Sequence, residues 1–148
     1  MNQLIRKLSE YYKENGLNVT VDGQKRCLKL KQRILVPDGF LSLHIFVTAD
    51  ELDYKKYRFS CYGLGNLKNV TEKDLFVIEQ FNENQDEVRL SLDDKERVVL
   101  FFDKEFYDIT SYDLGLETMG EALRCVAVFD PFIKNNYQTL KHIIKRLR

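Results

Sequence analysis

Apolar residues open the chain at helical spacing. At about 100° per residue, Leu4, Ile5, Leu8, Tyr11 and Tyr12 fall within an arc of about 120°, while Gln3, Arg6, Lys7, Ser9, Glu10 and Lys13 lie outside it. This predicts an amphipathic first helix, closed at Asn15-Gly16, where glycine supplies the left-handed residue that commonly ends a helix. The period then changes to two. Val19-Thr20-Val21 leads into Asp22-Gly23, a favoured tight-turn pair, and Cys27-Leu28-Lys29-Leu30-Lys31 alternates apolar with charged, which predicts a hairpin. Beyond the Pro37-Asp38-Gly39 turn, Leu41, Leu43, Ile45 and Val47 share one face of a strand, and Tyr57, Phe59 and Cys61 repeat the alternation. Together these make an antiparallel meander.

Thr71-Glu72-Lys73-Asp74 has the form of a capping box, in which the Thr hydroxyl takes a free amide of the first turn and the acid favours the positive helix end. It predicts a second helix running to about Asn82. Val88, Leu90 and Leu92 then alternate with Arg89 and Ser91, Asp93-Asp94-Lys95 turns, and Val98 to Phe102 is continuously apolar. This is a second hairpin whose return strand should be covered on both faces. From Leu116 a helical pattern returns, with Met119, Leu123 and Val126 on one face, until Asp130 would land on that side. Proline disfavours helical geometry in the residue before it yet suits the first helical position, so Asp130 is expected to cap a new helix begun by Pro131. Phe132, Ile133, Tyr137, Leu140, Ile143, Ile144 and Leu147 share one face of that final helix. With no repeats, low-complexity tracts or linker, the reading is one α+β domain over residues 1–148, an antiparallel β-sheet flanked by helices.

A chain of 148 residues can hide about 70% of the surface its unfolded form exposes, so a core is attainable without staples. The 44% hydrophobic content, with ten Phe and eight Tyr, is globular and excludes a disordered chain. Lys and Arg number 23 and so do Asp and Glu, so no whole-molecule field draws in a polyanion, and nucleic-acid binding would need a local patch. Cys27, Cys61 and Cys125 lack Cys-x-x-Cys spacing and sit in mainly apolar stretches, as free thiols acting as small hydrophobes do; they imply a reducing, cytoplasmic setting. The N-terminus turns polar at once, so no signal sequence is expected, and the Asn18-Val19-Thr20 and Asn69-Val70-Thr71 sequons are read as chance. No stretch is apolar for long enough to span a bilayer.

The order α-β-β-β-α-β-β-α(-α), with Phe81-Asn82-Glu83-Asn84 closing the central helix before Val88-Arg89-Leu90-Ser91-Leu92, resembles the YbjN-like proteins. These are bacterial proteins similar in fold to type III secretion chaperones of the CesT type. The resemblance runs from about Lys7 to Tyr137 and takes in the hairpin around Asp93-Asp94 and a final helix rich in Phe and Val. It implies a bacterial cytoplasmic protein without a cofactor, often a dimer, that holds extended segments of client proteins or regulates through protein contacts. The family brings no catalytic motif. This chain departs from the secretion chaperones in charge: they are acidic, whereas it is neutral with a basic end, which argues against a secretion client.

Candidate chemistry is sparse. His44, His142 and the three cysteines are too scattered for the close ligand pairs zinc favours, so core thiols and surface or strand histidines are expected in place of a metal site. His44 beside Cys61 is the one imaginable nucleophile pair. Asp103, Glu105, Asp108 and Asp113 lack the spacing of a calcium loop and read as a solvated loop; Gly63-Leu64-Gly65 is too short to cradle phosphate and reads as a tight turn. On the final helix Lys134, Lys141, Lys145 and Arg148 gather opposite the apolar stripe. Such a helix can bind membrane or nucleic acid, or its cations can complement the helix end while the stripe packs; packing is the reading adopted. The chain is therefore expected to be a non-catalytic, cofactor-free protein-binding module, chaperone-like or a regulatory adaptor, that offers a sheet edge or groove to a partner polypeptide or forms a homodimer. Candidate contacts are Phe40, Tyr54, Tyr57 and Tyr62, with Lys141, Lys145 and Arg148 of the final helix. The alternative is a basic-helix reader of nucleic acid or membrane.

Overall fold

A computed structural model describes residues 3–22 and 26–145. Helix α1 spans Gln3–Glu14 and buries Leu4, Ile5, Leu8 and Tyr12, whose hydroxyl donates 2.8 Å to the Ala122 carbonyl. Ser9 is buried with them, while Tyr11 is only half-buried, so the apolar arc sits slightly off the expected one. Gly16, at φ +82°, ends the helix as anticipated.

Six strands follow, interrupted by one helix: β1 (Asn18–Asp22), β2 (Cys27–Val36), β3 (Gly39–Ala49), β4 (Lys56–Tyr62), α2 (Glu72–Glu83), β5 (Arg89–Leu92) and β6 (Val98–Glu105). They form one sheet in the order β1-β2-β3-β4-β6-β5, antiparallel throughout. Four strands therefore precede α2, as the four period-two runs imply, and the order α-β-β-β-α-β-β-α(-α) counts one too few. The turn joining them, with Gly23, lies outside the described residues. At the β4 exit, Gly63 adopts φ +125° with the Ser42 carbonyl oxygen 2.4 Å from where a Cβ would stand, so the Gly-Leu-Gly turn needs glycine there.

Thr71 and Asp74 form the capping box of α2: the Asp74 amide donates 3.3 Å to Thr71 Oγ1, and the Thr71 amide donates 3.0 Å to Asp74 Oδ2. The C-terminal part holds three helices, α3 (Leu116–Ala127), α4 (Phe129–Asn135) and α5 (Tyr137–Lys145), not two. Asp130 does not cap. Helix α4 starts at Phe129 after Val128, and Pro131 occupies its first turn, where a missing N–H deprives no intrahelical acceptor. Asp130 lies in that turn and pairs with Lys134 at 2.9 Å. The expected continuous final helix breaks at Asn136 (φ −115°), whose side chain donates 2.9 Å back to the Phe132 carbonyl. Leu147 lies outside the described residues.

Alternation gives the sheet two unlike faces. Leu28, Leu30, Ile34, Leu43, Ile45, Val47, Phe59, Cys61, Leu90, Val98, Leu100 and Phe102 are buried on the inner face, in one core with residues of all the helices. Rings carry the contact: Phe59 stacks on Phe102 at 5.3 Å, and Phe102 meets Phe129 of α4 at 5.7 Å. Each such side chain contributes about 1.5–3 kcal/mol by leaving water. On β6 the expected cover on both sides fails at Phe101, which points outward and is half-buried, though Val99 beside it is buried.

Candidate partner-binding surfaces

The two outer strands end the sheet differently. At β5, the Asn82 side chain stands where a next strand would: its amide donates 2.9 Å to the Leu90 carbonyl, and its oxygen accepts from the Leu90 amide at 2.8 Å. Arg89 reinforces this closure by donating to the Asn82 and Gln85 carbonyls at 2.6 and 2.7 Å. The Asn-x-Asn step of the sequence thus has a physical task, since Asn84 caps the same helix C-terminus. Among the described residues no strand lies beyond β1 at the other end. Half-buried Leu17 and exposed Val21 flank that edge on the core side.

The outer sheet face carries rings and cations. The strand register places Thr20, Lys29, Phe46, Ser60, Phe101 and Arg89 in one row across all six strands, and Asn18, Lys31, His44 and Tyr62 in the next. Phe46 and Tyr62 pack edge to face at 5.7 Å. A cation accompanies each ring: Arg33 lies 4.1 Å from the centre of Phe40, Arg58 4.9 Å from Phe101, Arg97 5.1 Å from Tyr62 and Lys29 6.0 Å from Phe46. Arg58 and Arg97 are held by Asp103 and Asp93 at 2.7 and 2.6 Å, whereas no ion pair among the described residues engages Lys29, Lys31 or Arg33. Partial burial, then Lys29 and Lys31, hold the His44 pKa below its ordinary value, so this imidazole is neutral at pH 7. A hollow of about 720 Å³ opens here, lined by Thr20, Lys29, His44, Phe46, Ser60 and Tyr62 among others.

The expected contact residues divide. Phe40, 59% exposed, pairs across the β2–β3 hairpin tip with equally exposed Leu35, and Tyr62 lies in the hollow. Tyr54 is exposed on the β3–β4 connection, away from both. Tyr57 is a correction: it is 2% exposed on the inner face against Phe106, because β4 alternation turns it with Phe59 and Cys61 into the core, and burial pushes its pKa up to about 12. Lys141 is tied to Asp38 at 2.6 Å, and Asp38 also accepts from the Tyr137 hydroxyl, which pins α5 to the β2–β3 turn. The Lys145 side chain and Arg148 fall outside the described residues. Sequence reasoning does not single out Lys29, Lys31, Arg33, Phe46 or Phe101 as contacts and reads Asn82 only within a helix-closing motif; the polar members of the β2 alternation carry the signal for Lys29, Lys31 and Arg33.

Reactive groups do not converge. His44 pairs with Tyr62 and Ile45 with Cys61, so His44 and Cys61 project from opposite faces of the sheet. Burial pushes the Cys61 and Cys125 thiols up to about 12, against the thiolate a nucleophile requires. The acidic cluster disperses: Asp103 pairs with Arg58, Asp113 with Lys7, and Asp108 accepts from the Glu117 amide at 3.0 Å at the start of α3. No group of three or more His, Cys, Asp or Glu suited to a metal occurs among the described residues, and no helix among them is long and apolar enough to cross a membrane.

No family model matches the sequence, and no curated protein matches it. Solved structures similar over most of its length include three complexes. One is the heterodimeric ExoU–SpcU complex from the type III secretion system of Pseudomonas aeruginosa, with 14% identity, a TM-score of 0.48 and coverage of 93% of this chain and 98% of that one. The others are the ExsC–ExsE complex, at 13% identity, TM-score 0.47 and coverage of 88% and 90%, and the HopA1–SchA chaperone–effector complex, at 11% identity, TM-score 0.47 and coverage of 90% and 95%.

Proposed function

We propose that this chain is a single-domain, non-catalytic protein-binding module, chaperone-like or a regulatory adaptor, that takes a partner polypeptide as an added strand along β1. The observation that carries the reading is the unequal closure of the sheet: Asn82 occupies the β5 edge, and among the described residues no strand pairs with the outer side of β1. An extended segment there gains main-chain hydrogen bonds, while Leu17 and Val21 give alternate side chains an apolar footing. Buried thiols suit a reducing cytoplasm, and the Asn82-Glu83-Asn84 close of α2 before β5 suits a bacterial YbjN-like protein. A photo-crosslinking residue placed at Thr20, and separately at Ser91 on β5, tests this in the native cell. Polypeptide adducts should form at position 20 and not at 91; none at 20, or equal yields at both, would overturn it.

A second copy of the chain is the other partner proposed. Leu75 and Phe76 of α2 are 52% and 58% exposed, and Leu75 borders a groove of about 560 Å³ with Ile78, Leu90 and Leu92. An apolar strip of this kind suits the same strip of another chain. Sedimentation should show a dimer that Phe76→Glu dissociates; a monomer at every concentration refutes this pairing.

A further inference from the structure

We infer that the outer face of the sheet binds single-stranded RNA. Every backbone amide and carbonyl inside this face belongs to the strand ladder, so an extended peptide lying on it would bury its own polar backbone without gaining partners. A single strand of RNA has no such difficulty, because its phosphates stay in water while its bases offer apolar π faces. The face supplies what that ligand needs. Phe46, Tyr62 and Phe101 are half-buried rings on three successive strands, β3, β4 and β6. The guanidinium planes of Arg97 and Arg58 lie over two of them and are oriented by Asp93 and Asp103, which gives fixed surfaces for stacking.

Charge runs beside the rings. Lys29, Lys31 and Arg33 alternate outward along β2, about 7 Å apart as every second residue of a strand is. They form a rail for phosphates on a chain whose net charge is zero. Polar groups sit between the rings: Ser60 stands between Phe46 and Phe101 in the register, and the buried Nδ1 of His44 has no protein hydrogen-bond partner among the described residues. The half-buried Ser60 hydroxyl is the group here that a 2′-hydroxyl, which separates RNA from DNA, would meet. Helices α4 and α5 offer less, since Lys134 and Lys141 are already paired with Asp130 and Asp38.

Fluorescence anisotropy of the full chain with a short labelled oligouridine tests the inference. Three phosphate contacts give about a twentyfold loss of affinity between about 50 and 200 mM salt. Phe46→Ala with Tyr62→Ala should weaken binding at least about tenfold by removing stacking. The exposed-side triple change Lys29→Glu, Lys31→Glu and Arg33→Glu, which leaves the core untouched, should abolish binding; Lys73→Glu on α2 should leave it unchanged, and oligothymidine should bind more weakly. The inference is overturned by no binding, by equal binding of DNA, by indifference to the face variants, or by an equal loss in Lys73→Glu. Competition by polyglutamate as strong as that by unlabelled RNA would assign the face to an acidic polypeptide instead. Crosslinking at Thr20 reads polypeptide adducts whereas anisotropy with the face variants reads RNA, so either proposal can fail alone.

Discussion

The two faces of this sheet are built from the same strands and alternate residue by residue, yet they obey different rules. On β4, Tyr57, Phe59 and Cys61 are buried, while Lys56 and Arg58 are exposed and Ser60 and Tyr62 half-buried. Inside, aromatic rings meet other rings and the helices; outside, each ring meets a cation. A ring on the inner face is stabilising because water is excluded, whereas a ring on the outer face remains available to whatever displaces water next. Burial therefore separates side chains that hold the fold from those that can act on something else.

The sharpest way to break this contrast is to delete one ring from each side. Phe59→Ala, at 0% exposure, should lower stability by about 3–5 kcal/mol in urea unfolding, while Phe46→Ala should cost only about 1 kcal/mol. Equal losses would mean that the outer rings are structural too. Alkali gives a smaller effect. Cys61 and Tyr57 on the inner face have their pKa raised from 9.0 and 10.0 to about 12, so the folded state retains protons that the unfolded chain releases. Their contribution is complete below about pH 9 and drains away as pH rises towards 12, and the urea midpoint should fall over that window. Cys61→Ala should flatten the fall.

The smallest effect is on the outer face. There His44 titrates below its ordinary 6.5, so its contribution is present above that value and is lost as pH falls through it. In an NMR titration Lys29→Met with Lys31→Met should move the His44 midpoint back upward. A midpoint that stays put would show that burial alone sets it.

Local rules made much of the fold legible. The capping box at Thr71, the left-handed Gly16 and the period-two runs of β2 to β4 are decided by neighbours in sequence, and all stand where their residues imply. The errors lie where a tertiary contact outvotes a local one. Asp130 gave way to Phe129, which is 0% exposed and packs on Phe102, so α4 starts early enough to bury that ring. Asn136 broke a helix whose apolar stripe alone ran on past it. The candidate surface was harder to read, because a lysine on a strand looks the same in sequence whether its face is open to a ligand or merely wet. Tyr57 reads as a contact by residue type, although its alternation with Phe59 and Cys61 turns it inward.

The bond pair from Asn82 to Leu90 also sets a limit on assembly. A sheet with two free edges can lengthen into a fibril, whereas copies of this one could meet edge to edge only β1 to β1, because the Asn82 amide group occupies the β5 edge at Leu90.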